Sequence, residues 1–481
     1  MDFIVNEATF SLPCRSFIID YSVSQKRKLA VVKEFTIRLL YSIREISPDQ
    51  IAEYFGFSTE EMQVMLVALQ EERLIEWEDG NVKLTTYANE RFEQVDGKSV
   101  PRFFEVTDQI DTVTFDLFTF KLLIGTPSGS ISPNNMEILL PSEAMGNLTE
   151  KAKSAFDKNF YIFLEKVKKV NIYLENTELY KINQVFNKRD SLVPIKIQYV
   201  INSTSPNQPT IQYADKWMDE WDDDKSLYAA VSAQKDFVST SGCDLGITFG
   251  EYLRISRDPS SARFFRSENF DFSAAMDTYS QKNGVYDLET KMLIGNLYTP
   301  KNKDVIQSLI DYKFGENNVV STKGAIWCID PEDKIWGRGP ELEVFMSSIE
   351  SRFDEREKPE KTILVSQVDC PQSAFSKKER YGITGANFQG VNKMPGNSQC
   401  EILLIPNVLV ACIFHFTIDD YYPLTLPIGY VSTNEDRIAQ VQQDLTIFFN
   451  NPALTNAYFE RKNVKEENLV LSSKLMKLLD K

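Results

Sequence analysis

Hydrophobic and polar residues alternate in short runs at the start of the chain. Over residues 3–23 this alternation predicts one or two β-strands, because successive side chains of a strand face opposite sides. After Lys26-Arg27-Lys28 the period lengthens to three and four residues. The apolar positions of this second stretch are Leu29, Val32, Phe35, Leu39, Leu40 and Ile43. Their spacing predicts an amphipathic α-helix.

Two further short helices are predicted directly after this one. Ser47 is suited to cap a helix that has Pro48 at its first position, and Gly56 is suited to end that helix in the left-handed conformation. Ser58 and Glu61 have the spacing of a capping box at the start of the next helix. These residues therefore predict two helices that are joined by a tight turn.

An Asp79-Gly80 pair lies between two short strand-like runs, and it predicts a β-hairpin over residues 75–85. Residues 31–92 therefore have the order helix, helix, helix and hairpin. This order resembles the winged helix-turn-helix module, in which the second helix of the turn lies in the DNA major groove. The resemblance implies a module that contacts either DNA or another protein.

Apolar runs of strand length alternate with helical patterns through the rest of the chain. The strand-like runs lie at residues 170–174, 195–200, 325–329, 362–365 and 401–416. The helical patterns lie at residues 148–170, 305–312, 342–353 and 437–449. Such alternation predicts a mixed α/β fold class.

A chain of 481 residues is longer than one hydrophobic core usually organises. We expect three segments: residues 1–95 with the N-terminal strands and the winged helix, residues 96–300 as an α/β middle region, and residues 301–481 as an α/β region with a C-terminal helix. Residues 375–399, which contain Lys377, Lys378, Arg380 and Lys393, predict a long loop. Residues 468–479 are predicted either to pack on their own domain or to dock onto a partner.

The net charge and the N-terminal residues limit which partners and which cellular location we expect. With 53 basic and 69 acidic residues the formal net charge is −16, and such a field repels phosphate at long range. The first residues lack a basic segment followed by an apolar one, and no run reaches the ~18 apolar residues of a membrane span. We therefore expect a cytoplasmic protein without membrane contact. The six cysteines include no CxxC pair, which favours free thiols over a zinc site.

The winged helix offers five polar side chains for contact with DNA or with a partner. They are Thr59, Gln63, Gln70, Arg73 and Lys83. Residues 25–95 contain nine basic and thirteen acidic residues, a net charge of −4, and Glu60-Glu61 lies at the start of the reading helix. Because carboxylates next to phosphates are repulsive, contact with protein is favoured over contact with DNA.

The only histidine of the chain, His415, is the candidate catalytic residue. It lies in a predicted strand that follows an earlier strand and a bend containing Pro406. This segment resembles a half-site of the phospholipase D-like family, which implies His415 at the nucleophile position and Gly429 in a later glycine turn. The family's lysine position is Thr417 and its aspartate position is Tyr422, so the resemblance implies a decayed site. Alternation along residues 411–418 predicts His415 on the less apolar face, where it lines a remnant cleft with Asp419 or Asp420 as a partner.

Residues 215–224 are densely acidic and contain Trp217, Met218 and Trp221 on one side of a predicted helix. Three interpretations remain open: a solvated acidic helix, an interface anchored by the two tryptophans, and a site for a divalent cation. The carboxylate spacing matches no EF-hand loop.

The sequence contains no phosphate-binding glycine loop, no dinucleotide fingerprint, no nucleophile elbow and no HExxH zinc motif. We therefore expect no cofactor and no metal site. The favoured hypothesis is a non-catalytic or catalytically decayed subunit of an intracellular bacterial DNA-processing or phage-defence assembly, with other protein subunits as partners and nucleic acid as a further partner of the winged helix. The alternatives are a phospholipase D-like or metal-dependent nuclease that needs a second subunit, and a DNA-binding transcriptional regulator.

Overall fold

A computed structural model describes most of the chain. The described residues are 2–27, 29–95, 98–125, 132, 134–140, 145–169, 177–214, 249–266, 269–316, 318–329, 335–368, 370–382, 387–395, 399–417, 425–451, 457–458 and 473–480. Among the helices of these ranges, none is both long and apolar enough to cross a membrane.

The helices and strands alternate along the chain. The helices, with their bounds, are α1 (Val31–Ile43), α2 (Pro48–Phe55), α3 (Thr59–Glu71), α4 (Thr86–Asn89), α5 (Leu148–Ile162), α6 (Phe249–Ser256), α7 (Pro259–Ala262), α8 (Phe272–Lys282), α9 (Pro300–Phe314), α10 (Glu341–Glu350), α11 (Pro371–Gly382), α12 (Glu435–Phe449) and α13 (Ser473–Leu479). The strands are β1 (Asp2–Arg27), β2 (Glu45–Ile46), β3 (Ile75–Glu78), β4 (Asn81–Leu84), β5 (Phe92–Val95), β6 (Lys98–Pro101), β7 (Phe103–Asp116), β8 (Met136–Glu137), β9 (Glu178–Asn202), β10 (Ser205–Tyr213), β11 (Phe265–Arg266), β12 (Asn269–Phe270), β13 (Thr290–Ile294), β14 (Ile326–Cys328), β15 (Ile363–Gln367), β16 (Asn387–Val391), β17 (Cys400–Ile405), β18 (Leu409–Thr417), β19 (Thr425–Ser432) and β20 (Ala457–Tyr458).

The chain divides into two compact units. Unit 1 comprises Met1–Pro13, Pro127–Leu140 and Leu192–Lys481, and unit 2 comprises Cys14–Thr126 and Pro141–Ser191. The long strands β1 and β9 each contribute residues to both units. The boundaries of the two units therefore differ from the boundaries of the three segments expected from the sequence.

The helical module of unit 2, residues 31–84, has the elements expected from the sequence. Helices α1, α2 and α3 are followed by the hairpin of β3 and β4, and β2 pairs with β4 to complete a three-stranded antiparallel sheet. Its core contains Leu40, Ile51, Met62, Leu66 and Val82, all of which are buried. The local capping residues and the shared apolar core therefore favour the same arrangement of helices and strands.

Helix α1 does not bury the apolar stripe that its sequence indicates. The buried positions are Thr36, Ile37 and Leu40, whereas Phe35 and Ile43 are exposed. Apolar residues cover more than half of the helix circumference, so helical spacing alone does not select the face that packs against α3 and β4. An exposed apolar face remains on α1.

Unit 1 is built on an eight-stranded mixed sheet in the order β13-β19-β18-β17-β14-β15-β16-β20. The central strands β14, β15 and β16 are parallel, and β13, β17, β18 and β19 pair antiparallel. One face of the sheet packs on α9 and α10, and the other packs on α6, α12 and α13. Three layers of this kind confirm the mixed α/β fold class.

Two expectations for the C-terminal region have clear outcomes. The long loop predicted over residues 375–399 is wrong, because α11 and β16 occupy much of this range and Tyr381 is buried. Glycines and polar residues separate its apolar positions, so the apolar spacing does not form a clear helical pattern. For the C-terminal tail, Leu475, Leu478 and Leu479 of α13 are buried against α12, which confirms packing on its own domain.

Candidate functional site

The geometry of α2 and α3 is set by their end residues. Ser47 Oγ accepts a hydrogen bond from the Gln50 amide, and Ser58 Oγ accepts one from the Glu61 amide at 3.2 Å. Gly56 has a φ of 71° and ends α2 in the left-handed conformation. Reciprocal capping of this kind holds the turn between two helices at a defined angle. The predicted caps and turn are confirmed.

A groove of about 370 Å³ lies between α2, α3 and β3, and we call it the α2–α3 groove. Its floor includes the buried Met62 and Leu66, and its wall includes Val67 of α3 and Trp77 of β3, which are about half exposed. The Trp77 indole Nε1 donates a hydrogen bond to Gln70 Oε1 at 3.2 Å. This bond fixes the indole beside an open apolar surface.

Three of the five predicted contact residues line this groove. Thr59, Gln63 and Gln70 do so, whereas Arg73 and Lys83 do not. Arg73 has a φ of 58° at the end of α3, where its backbone continues into the hairpin. Val67 and Trp77 also line the groove and were not among the predicted contact residues, although a tryptophan in a short exposed strand is a signal for an interface anchor.

Three of the five lysine and arginine side chains of the module, residues 31–84, are paired with carboxylates. Lys33 pairs with Glu72 at 2.7 Å, and Arg38 pairs with Glu34 at 2.5 Å. Lys83 lies between Glu76 and Glu78, and these carboxylates raise the pKa of Lys83 above its ordinary value. Among the described residues that line the α2–α3 groove, none is a lysine or an arginine. This surface consequently offers little attraction for phosphate.

His415 lies in a buried polar network of unit 1. Strands β17 and β18 are paired in register, with Glu401 opposite Ile413, so Glu401 and His415 point to the same face of the sheet. His415 Nε2 lies 3.0 Å from Glu401 Oε2, and His415 Nδ1 lies 3.0 Å from Thr425 Oγ1. The Trp327 indole Nε1 also donates to Glu401 at 2.9 Å, and Trp336 Nε1 donates at 3.3 Å.

This network leaves His415 little capacity for chemistry. Its side chain is 3% exposed, and both ring nitrogens have partners within the protein. A nucleophilic imidazole needs a free nitrogen that a substrate can reach. The prediction that His415 lines a remnant cleft is wrong for the described residues. The face of the sheet that carries His415 is covered by Trp336 and α10 and also holds Trp327. The expected partners Asp419 and Asp420, and the family's aspartate position Tyr422, lie outside the described residues.

Gly429 has a different role from the glycine turn implied by the resemblance. It lies inside β19, opposite Ile413 of β18. A Cβ atom at this position would collide with the carbonyl oxygen of Cys412 and would approach Ile413 Cα to 2.8 Å. The absence of a side chain at residue 429 therefore allows two backbones to approach closely.

Three buried cysteines of unit 1 are unsuited to act as nucleophiles. Burial raises the pKa of Cys328, Cys400 and Cys412, which keeps these thiols protonated. Within the described ranges, no cluster of three histidine, cysteine, aspartate or glutamate side chains could hold a metal ion. Trp217, Met218 and Trp221 lie outside the described residues, so their three interpretations stay predictions.

Known proteins give little further information on this chain. No protein-family model matches it, and no curated protein matches it. A solved structure that shows similarity is TrmBL2, an archaeal chromatin protein whose structure is described as showing a novel mode of DNA binding. The alignment covers 88% of this chain and 93% of TrmBL2, at 8% identity and a TM-score of 0.22. A TM-score this low does not establish a shared fold.

Proposed function

We propose that this chain is a non-catalytic subunit of a protein assembly, and that its helical module, as a winged helix, binds another polypeptide rather than duplex DNA. The observation that carries the proposal is the α2–α3 groove. It has an apolar floor and an exposed tryptophan, and none of its described lining residues is a cation that could contact phosphate. Exposed aromatic side chains next to an apolar pocket are typical of protein interfaces.

The electrostatics of the module support the same choice. Lys33, Arg38 and Lys83 are each paired with carboxylates of the module itself. A phosphate contact with any of these three side chains would have to displace a carboxylate, and the net charge of −16 would oppose the approach of DNA. The identity of the assembly, in bacterial DNA processing or phage defence, stays a prediction from the sequence.

A duplex-binding titration tests this proposal. We expect the full chain to bind a fluorescein-labelled duplex of about 30 base pairs with a Kd no tighter than the micromolar range at physiological salt, because few phosphates can be neutralised. Fluorescence anisotropy measures the Kd, and a salt series measures the number of ionic contacts. Nanomolar binding with a steep salt dependence would contradict the proposal and favour the transcriptional regulator.

A phosphodiesterase assay tests the enzyme alternative. If the site is decayed, the wild type shows only background phosphodiesterase turnover, on nucleic acid and on a chromogenic diester. The variant His415→Asn should show the same background turnover, because the His415 side chain is already enclosed in the wild type. Circular dichroism verifies that the variant is folded. Turnover in the wild type that the substitution abolishes would favour a phospholipase D-like nuclease.

A further inference from the structure

We infer that the α2–α3 groove receives an amphipathic helix that belongs to another polypeptide and that carries lysine or arginine beside its apolar stripe. This inference rests on the proposed protein-binding function and names the chemistry of the partner. Three features of the groove support it: its shape, the fixed position of its anchor and its charge.

The shape of the groove suits a helix. Two helices and a strand edge border it, and its floor of Ala52, Met62 and Leu66 is at most 8% exposed. Val67 and Trp77 rise from this floor as the exposed wall, at 47% and 46%. An open trough with a continuous apolar floor accepts the side chains that a partner helix presents at intervals of three and four residues.

The indole of Trp77 is held in place before a partner arrives. Its Nε1 is bonded to Gln70 of α3, and the turn of its hairpin is fixed by Asp79 and Gly80 with φ values of 48° and 79°. A side chain with a fixed orientation loses little conformational entropy on binding. Trp77 therefore fits the role of an anchor in the interface.

The charge around the groove selects a basic partner. Asp49 lines it, and the exposed carboxylates Glu53 and Glu60 are carried by α2 and by the first turn of α3. No lysine or arginine is among the lining residues. An acidic rim around an apolar floor attracts lysine and arginine and repels an acidic segment.

The experiment uses the full chain and three fluorescein-labelled synthetic peptides of about 18 residues. The first is an amphipathic leucine and arginine helix, the second is a scrambled isomer of the same composition without an apolar stripe, and the third is the first peptide with glutamate in place of arginine. We expect the first peptide to bind at least about tenfold more tightly than the other two in fluorescence anisotropy.

Two pairs of substitutions locate the binding to the groove. Val67→Arg should weaken binding of the first peptide by about tenfold, whereas Val64→Arg, on the same helix at a 72% exposed position outside the groove, should leave it unchanged. Asp49→Lys should weaken binding, whereas Glu90→Lys, at an exposed position outside the groove, should not. Circular dichroism and the melting temperature verify that all four variants are folded.

Each other outcome has a definite meaning. Equal binding of the first peptide and its scrambled isomer, no binding of either, or equal effects of Val67→Arg and Val64→Arg would overturn the inference. Tighter binding of the glutamate peptide would keep the protein-binding function but overturn a basic partner. Self-association in sedimentation velocity that Val67→Arg abolishes would identify a second copy of this chain as the occupant. Failure of the proposed function is distinguished separately, by nanomolar binding of duplex DNA.

Discussion

Replacing the buried carboxylate in Glu401→Ala is expected to lower the free energy of unfolding of unit 1 by about 3–5 kcal/mol. Glu401 is 2% exposed and accepts hydrogen bonds from the indoles of Trp327 and Trp336, and it lies 3.0 Å from His415 Nε2. Without the carboxylate these groups remain buried and lose their partner.

Urea unfolding followed by tryptophan fluorescence measures this change, because Trp327 and Trp336 contact the altered site. The matched control is Glu343→Ala on α10, where an exposed carboxylate is removed and a change within about 0.5 kcal/mol is expected. Glu401→Gln should fall between the two, since an amide oxygen still accepts one indole hydrogen bond. A loss below about 1 kcal/mol in Glu401→Ala would show that water or a rearranged side chain compensates for the carboxylate.

A second large effect is expected from adding a single methyl group in Gly429→Ala. The new Cβ would collide with the backbone of Cys412 and Ile413 on the adjacent strand, so β18 and β19 would have to separate. Backbone atoms cannot move aside as the end of a flexible side chain does, and a loss of about 3 kcal/mol is expected.

The free energy of unfolding from urea titration measures this effect. Gly80→Ala is the matched control, because Gly80 has a φ of 79° but open space around it, so only the left-handed conformation is penalised, by about 1 kcal/mol. Equal losses in the two variants would show that β19 relaxes around the methyl group. A large loss in Gly429→Ala alone would show that the glycine is required by strand packing and is no evidence of catalysis.

Local signals in the sequence are sufficient to predict the helical module. Ser47, Gly56 and Ser58 act through hydrogen bonds and backbone angles within three or four residues of their own position, and Asp79-Gly80 does the same at the hairpin turn. These short-range preferences do not depend on the rest of the fold, so the predicted helix bounds and the turn are found in the structure.

The contacts that decide function are not local, and the sequence alone did not determine them. The face of α1 that packs, the helix at Pro371–Gly382, the wall formed by Val67 and Trp77, and the pairing of Glu401 with His415 all depend on contacts between separate elements. In each case, several arrangements satisfy the local pattern of apolar residues, and only simultaneous packing against α3, β3, β16 or β17 selects one of them. The sequence thus determined the elements of the helical module and their ends, and the tertiary structure decided which side chains are enclosed and which remain open to a partner.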